Sequence, residues 1–386
     1  MRLQSRLECQ FGQYSDGRFD PAAFRHWVAC AVPKEIGVFR EMKDQVPLKE
    51  SGYVIVNISV ADDGVVAWDA YTHFPFGDRV HAHLTGLAQG LQKLADRNAL
   101  SAGDSCSIVH FMSDRFPYQS GRIDLCGPIA CHGCPVDRNF ILIPDTEFFW
   151  WSPNSRWEVK GMNWASQKEH YRYLRQIRPA QPHVRRLFFN GTDTSNKPRA
   201  SRVRGYLRDH GTPRLDVDAS LTFVPLDNAI WYEGTLSLPG TYPWTGRLKQ
   251  LYMLGLPVVH VSVITIGKGY VDPEWHSFVD LVVPPDLRTN ITFFHDKRLE
   301  DDKIAVQDRR LKELVADLDS AELSTEKAQL ALEYIESLTS DDIAEYYASY
   351  ISRSIALGVP VLDRPEVCMH SKSGSVYPRV ELKLDF

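Results

Sequence analysis

The sequence predicts an α/β protein, and two observations predict it. Strand-like and helix-like segments alternate over the first part of the chain, and a second alternating series runs from about Arg185 to Ile266. Strand, helix, strand, helix, strand is the order of a nucleotide-binding half-sheet. The composition agrees: 44% hydrophobic and 11% aromatic residues over 386 positions give a substantial core in two ordinary domains or one large one.

In chain order, "YVIVNISVADDGVVAWDAYT" (Tyr53 to Thr72) has the β-branched character of a hairpin with Asp-Asp-Gly at its turn. "AHLTGLAQGLQKLADRNAL" has helical spacing, and "CSIVHFM" and "FILIPD" read as short buried strands. "QKEHYRYLRQIRP" predicts a helix ending before Pro179. The second series is "RRLFFNG" as strand, a helix around "RASRVRGYLRDHG", "RLDVDA" and "AIWYEG" as strands, a helix ahead of Gly255, and "PVVHVSVITI" as strand. From about Asp301 to Leu357 the chain is strongly helical and charged.

Charge and hydropathy exclude several classes. Lys+Arg 44 against Asp+Glu 49 gives a formal net charge of −5, so this is no polybasic nucleic-acid protein. No stretch approaches the roughly 18 apolar residues of a membrane span. The N-terminus lacks the apolar region of a signal peptide, so a complete chain is expected in the cytoplasm; a trimmed one is compatible with the ER or Golgi lumen. Seven cysteines, an odd number on a long chain, do not resemble a disulfide scaffold. Asn57, Asn190 and Asn290 begin glycosylation sequons.

Three stretches carry chemistry. In "LFFNGTDTSNKPR" a strand runs into a loop of glycine and small hydroxyl residues, then into a helix bearing Arg199, Arg202 and Arg204. Such a loop lets backbone N–H groups approach a phosphate, although it matches neither of the standard glycine-rich fingerprints, and a polar surface turn is the alternative. In "PWTGRLKQLYMLGLPVVHV", Arg247 sits in the first turn of a helix, where a bare cation opposes the helix dipole by about 0.3–1 kcal/mol. A bound anion would remove that conflict; a solvated surface arginine is the alternative. "CGPIACHGC" invites a zinc reading, but only one tight cluster exists where a structural site normally takes two pairs. Asp216 and Asp218 in "LDVDA" read as a metal-nucleotide pair or as a strand-end turn. Trp150, Trp151, Trp157 and Trp164 read as a sugar-stacking platform or as core.

Together these segments resemble glycosyltransferase family 90, which holds capsule-associated transferases and protein O-glucosyltransferases. Four anchors carry the resemblance in register over roughly Cys126 to Leu357: "ACHGCPVDRNFILIPDTEF", "FFNGTDTS", "WYEGTLSLPGTYPWTGRLKQLYMLG" and "LTSDDIAEYYASYISRSI". The resemblance implies a GT-B-like fold, two Rossmann-like domains facing across a cleft. It divides the chain into an acceptor-side domain at 1–170, a nucleotide-sugar domain at 171–335 and a segment at 336–386 returning toward the first.

It further implies a UDP-sugar donor, glucose or xylose, a glycan or protein acceptor, and no cofactor or metal. Gly191, Thr192, Thr194, Arg199, Trp244, Gly246 and Arg247 would bind the donor, and Gly127, Pro128, Ile129 and Ala130 the acceptor. Asp216 and Asp218 fall on a structural strand of the family. The family's aspartate base is not matched: the corresponding stretch, "FFWWSPNSRWE", offers neutral residues such as Asn154. Asp145 and Glu158 are the nearest carboxylates; a retaining reaction or an inactive, binding-only protein are the other outcomes. Asn190 and Asp193 also replace or dilute positive charge in the phosphate-like loop.

Overall fold

A computed structural model of the chain describes residues 14–15, 18–19, 53–64, 66–72, 78–111, 129–135, 141–149, 162–191, 201–218, 225–239, 246–267, 270–272, 275–296, 304–356, 358–359, 361 and 380–383. The elements of the first half are β1 (Tyr14–Ser15), β2 (Arg18–Phe19), β3 (Tyr53–Val60), β4 (Val66–Thr72), α1 (Asp78–Asp96), β5 (Ser105–Phe111), β6 (Ile129–Cys131), β7 (Gly133–Pro135) and β8 (Ile141–Leu142). α2 (Trp164–Ile177) leads into the second half: β9 (Val184–Asn190), α3 (Ser201–His210), β10 (Leu215–Asp218), β11 (Tyr232–Ser237), α4 (Leu248–Met253), β12 (Val258–Gly267), β13 (Tyr270–Asp272), β14 (Trp275–Ser277), α5 (Val279–Val282) and β15 (Thr289–Asp296). α6 (Ile304–Asp319), α7 (Thr325–Ser337), α8 (Ser340–Ala356) and β16 (Val380–Lys383) follow.

Two six-stranded sheets organise these elements. The first has the order β16-β4-β3-β5-β6-β8 and is mixed: β16, β4, β3 and β5 are antiparallel neighbours, while β5, β6 and β8 run parallel. It differs in that respect from a wholly parallel Rossmann-like sheet. The cause is local, because the Asp62-Asp63-Gly64 turn, with Gly64 at φ 84, folds β4 straight back on β3. The second sheet has five parallel strands in the order β10-β9-β11-β12-β15, with β13 returning antiparallel along the end of β12.

Alternation along the strands sorts the second sheet's two faces. Leu187 and Phe189 of β9, Leu236 of β11 and Val259, Val261 and Val263 of β12 enter one core, covered by Val203 and Leu207 of α3 and by Leu311, Leu314 and Leu318 of α6. Phe188 and Val258 point the other way, into a larger core that continues through α4 and α7 to α8, α1 and the first sheet. Full burial of one such Val, Leu or Phe contributes about 1.5–3 kcal/mol.

The helical region beyond residue 301 resolves into three helices because capping residues interrupt it. Ser324 accepts a bond from Lys327 N at 3.2 Å to start α7. Thr339 and Asp342 cap each other's backbone N–H groups at 3.0 and 2.8 Å to start α8. α8 then packs on α1 and β5. The approach is close because Gly90 has no side chain: a Cβ there would lie 2.6 Å from Tyr347 Cβ and 2.8 Å from Ala348 N. Arg97 secures the pair with a bond from Nη1 to Glu345 Oε1 at 2.8 Å. One predicted strand starts later than the sequence suggests: Leu226–Trp231 form a 3-10 turn, and β11 begins at Tyr232, halfway along "AIWYEG".

Candidate functional site

β9 is the first strand of the parallel sheet; β10 lies to one side of it and β11 to the other. The chain therefore changes direction between β9 and β11, and open α/β sheets bind ligands outside the carboxyl ends of their strands at such a point. Here those ends carry two guanidinium groups. Arg247 Nη1 donates to the carbonyl oxygen of Asn190, the last residue of β9. Arg204, from α3, lies with its guanidinium carbon 5.0 Å from the centre of the Phe189 ring, and its Nη2 donates to Leu238 O, just past β11, at 3.4 Å. Gly191 fits between them only as glycine, because a Cβ would meet Phe189 Cζ at 2.8 Å and Arg204 Nη1 at 3.4 Å.

Arg247 is the residue before α4, in helical backbone conformation, and Gly255, at φ 64, follows the end of the helix about two turns later. The dipole conflict expected from sequence is thus met by a strand-end carbonyl, which draws Arg247 to the phosphate-like loop. Gly246 precedes it and borders a second group of charges.

That group joins the two halves of the molecule. The 3-10 turn Thr146–Phe148 follows β8, and its Glu147 and the preceding Asp145 both bind Lys249 of α4. Lys249 Nζ donates to Asp145 Oδ1 and Oδ2 at 2.8 and 2.9 Å, to Glu147 Oε2 at 3.1 Å, and to Gly246 O. Lys249 is 0% and Asp145 5% exposed, whereas the Glu147 side chain is 37% exposed. Burial pushes the Asp145 carboxyl up to about 6, against the opposing pull of Lys249. Burial also disfavours the Lys249 ammonium, but the two carboxylates outweigh it and hold its pKa above the ordinary value. Two carboxylates around one ammonium carry one excess negative charge.

α2 braces this turn. Gln167 Nε2 donates to Glu147 O at 2.6 Å and to Met162 O at 3.1 Å. The Tyr171 hydroxyl is held well above its ordinary pKa by burial, with Asp227 and Glu147 adding to the effect and Arg247 opposing it. His170 Nε2 pairs with Asp227 Oδ2 at 3.0 Å.

Of the residues expected from sequence, Gly191, Gly246 and Arg247 meet at this place, and Asp145 joins them through Lys249. Asp145 does so with both oxygens on an ammonium, and its Oδ1 also accepts Glu147 N at 2.9 Å, an arrangement that positions a turn. Ile129 and Ala130 lie in β6, paired with Val109 and His110 of β5. Glu158, Thr192, Thr194, Arg199, Trp244, Gly127 and Pro128 lie outside the described residues, as do Trp150, Trp151 and Trp157. Trp164 is core rather than platform: it is 1% exposed and its Nε1 donates to Leu338 O at 2.7 Å. Asn190 is 7% exposed, so the sequon asparagine is buried against the sheet. Asp216 Oδ2 accepts the Tyr232 hydroxyl at 2.7 Å, a bond across the strands rather than toward a metal. Among the described residues no group of three or more His, Cys, Asp or Glu is placed to hold a metal ion, and no helix is long and apolar enough to cross a membrane.

Arg204, Glu147 and Lys249 are the additions. Arg204 was visible as one of three arginines on a helix, but only the fold turns it toward Leu238. Chemically the site offers cations for an anion and, on its other side, a half-exposed carboxylate. Comparison with models of known protein families and with curated proteins finds no match for this chain.

Proposed function

We propose that this chain is a glycosyltransferase that moves a sugar, glucose or xylose, from a UDP-sugar to a hydroxyl of a glycan or protein. Its halves are taken as GT-B-like, divided as 1–170 and 171–335, with 336–386 returning to the first. The observation that carries the reading is the meeting of Arg204 and Arg247 with the backbone of Asn190 and Gly191 at the direction change of the parallel sheet. A nucleotide diphosphate seated there would have the charge it develops on leaving neutralised by two guanidinium groups, a term of several kcal/mol in comparable sites. The resemblance of "FFNGTDTS" and of the Arg247 segment to the family's donor-binding stretches supports the same placement.

A second reading, a protein that binds nucleotide or glycan without turnover, is favoured by one observation: both oxygens of Asp145 are bound to Lys249. Two measurements separate the readings. UDP should raise the melting temperature of the wild-type protein if it is an enzyme or a nucleotide binder, whereas UDP release from UDP-glucose or UDP-xylose should occur only if the chain is an enzyme. Arg247→Ala is expected to fold normally, to lose the UDP-induced shift and to lower UDP release by about 100-fold or more. A variant that retains both at wild-type level would sink the donor site.

A further inference from the structure

Resting on that donor reading, we infer that Glu147 is the carboxylate that accepts the proton of the attacking hydroxyl, with Lys249 as its positioning residue. Three observations single it out. Its side chain is 37% exposed, whereas Asp145, on the same ammonium, is 7% exposed at the side chain. Both its oxygens border the donor segment: a Cβ on Gly246, the neighbour of Arg247, would stand 3.4 Å from Oε1 and 3.5 Å from Oε2. Finally, it is fixed in place. Lys249, fully buried, holds Oε2 at 3.1 Å, Asp145 holds its backbone N–H at 2.9 Å, and Gln167 holds its carbonyl at 2.6 Å. A carboxylate so anchored and still partly open to solvent is placed to meet an incoming hydroxyl.

The step balances. The O–H proton passes to Glu147 while the hydroxyl oxygen bonds to the sugar's anomeric carbon. The bond from that carbon to the diphosphate oxygen breaks, and its electron pair leaves with UDP beside Arg247 and Arg204. Glu147 then returns the proton to solvent.

The test uses the whole chain with UDP-glucose, water serving as acceptor. Glu147→Gln is expected to keep the wild-type UDP thermal shift and to release UDP at least about 100-fold more slowly. Glu147→Asp should recover part of the rate. Release by Glu147→Gln within about threefold of wild type, with the UDP shift intact, overturns the role of Glu147 alone. Absence of a UDP shift in the wild-type protein overturns the donor site and the role with it. Binding without any wild-type turnover overturns the role and leaves a binding protein.

Discussion

Lys249 gathers contacts from both halves of the chain. It spends its three protons on Asp145, Glu147 and Gly246 O from a fully buried position. Removing one member of such a cluster leaves buried charge uncompensated. Lys249→Met should therefore destabilise the protein by about 3–5 kcal/mol in urea unfolding, and Lys249→Met with Asp145→Leu should recover most of that loss. A single variant as stable as wild type would show the pair to be idle. Neither Lys249 nor Glu147 was legible as a site residue. Lys249 occupies an ordinary helical position between Leu248 and Gln250, and Glu147 stands in "DTEF" ahead of two phenylalanines. Their contact spans about a hundred positions of sequence, and no local period encodes it. Arg247 was legible for the opposite reason, since a cation at a helix start is a conflict visible in a few residues.

Among elements, β15 and α5 are tied through Arg288. Its Nη1 donates to Asp280 of α5 and, at 3.2 Å, to the Tyr252 hydroxyl of α4, while its Nε donates to Asn290 at 2.8 Å. Burial works against the Asp280 carboxylate, but Arg288 and then His276 outweigh it and bring its pKa from 3.8 down to about 2. A carboxyl depressed on folding contributes stability above its unfolded pKa and loses it as pH falls through the folded one. The stability gap between wild type and Asp280→Asn should hence be constant above about pH 5 and narrow between about pH 4 and pH 2. Urea midpoints across that range would check it; a gap that widens toward acid contradicts the pairing. Most elements were readable from apolar period and punctuation, as with Gly255 ending α4. The segment "AIWYEG" was not: Pro225 opens a tight turn in which Ala229 and Ile230 are buried, so apolar residues there mark a turn packed on the core instead of a strand.

At the scale of the molecule, the larger core runs without a break from Val54 and Ile108 in the first sheet, through Tyr346 and Tyr347 of α8, to Leu251 of α4 and Val258 of β12. A shared core couples the two halves, so unfolding in urea is expected as one transition, coincident by tryptophan fluorescence and far-UV circular dichroism. Two resolved steps would mean that the sheets melt separately. The strand order itself was beyond the sequence. The alternation of strand and helix in the second half announces a parallel sheet, but nothing in it states that β10 and β11 lie on opposite sides of β9, and that placement creates the site.

The short ladder of β7 with β14 has a consequence for how this protein can change over time. Gly133, Cys134 and Pro135 pair with Ser277, His276 and Trp275, so a piece of the first half is sewn by main-chain groups to the segment between β13 and α5 of the second. Stitches of that kind do not depend on which side chains accompany them. On the β14 side the Ser277 hydroxyl and His276 also serve Asp280, so it is along β7 that substitution is freer, provided extended backbone is kept. The seam between the halves then holds its register while side chains along one edge of it vary.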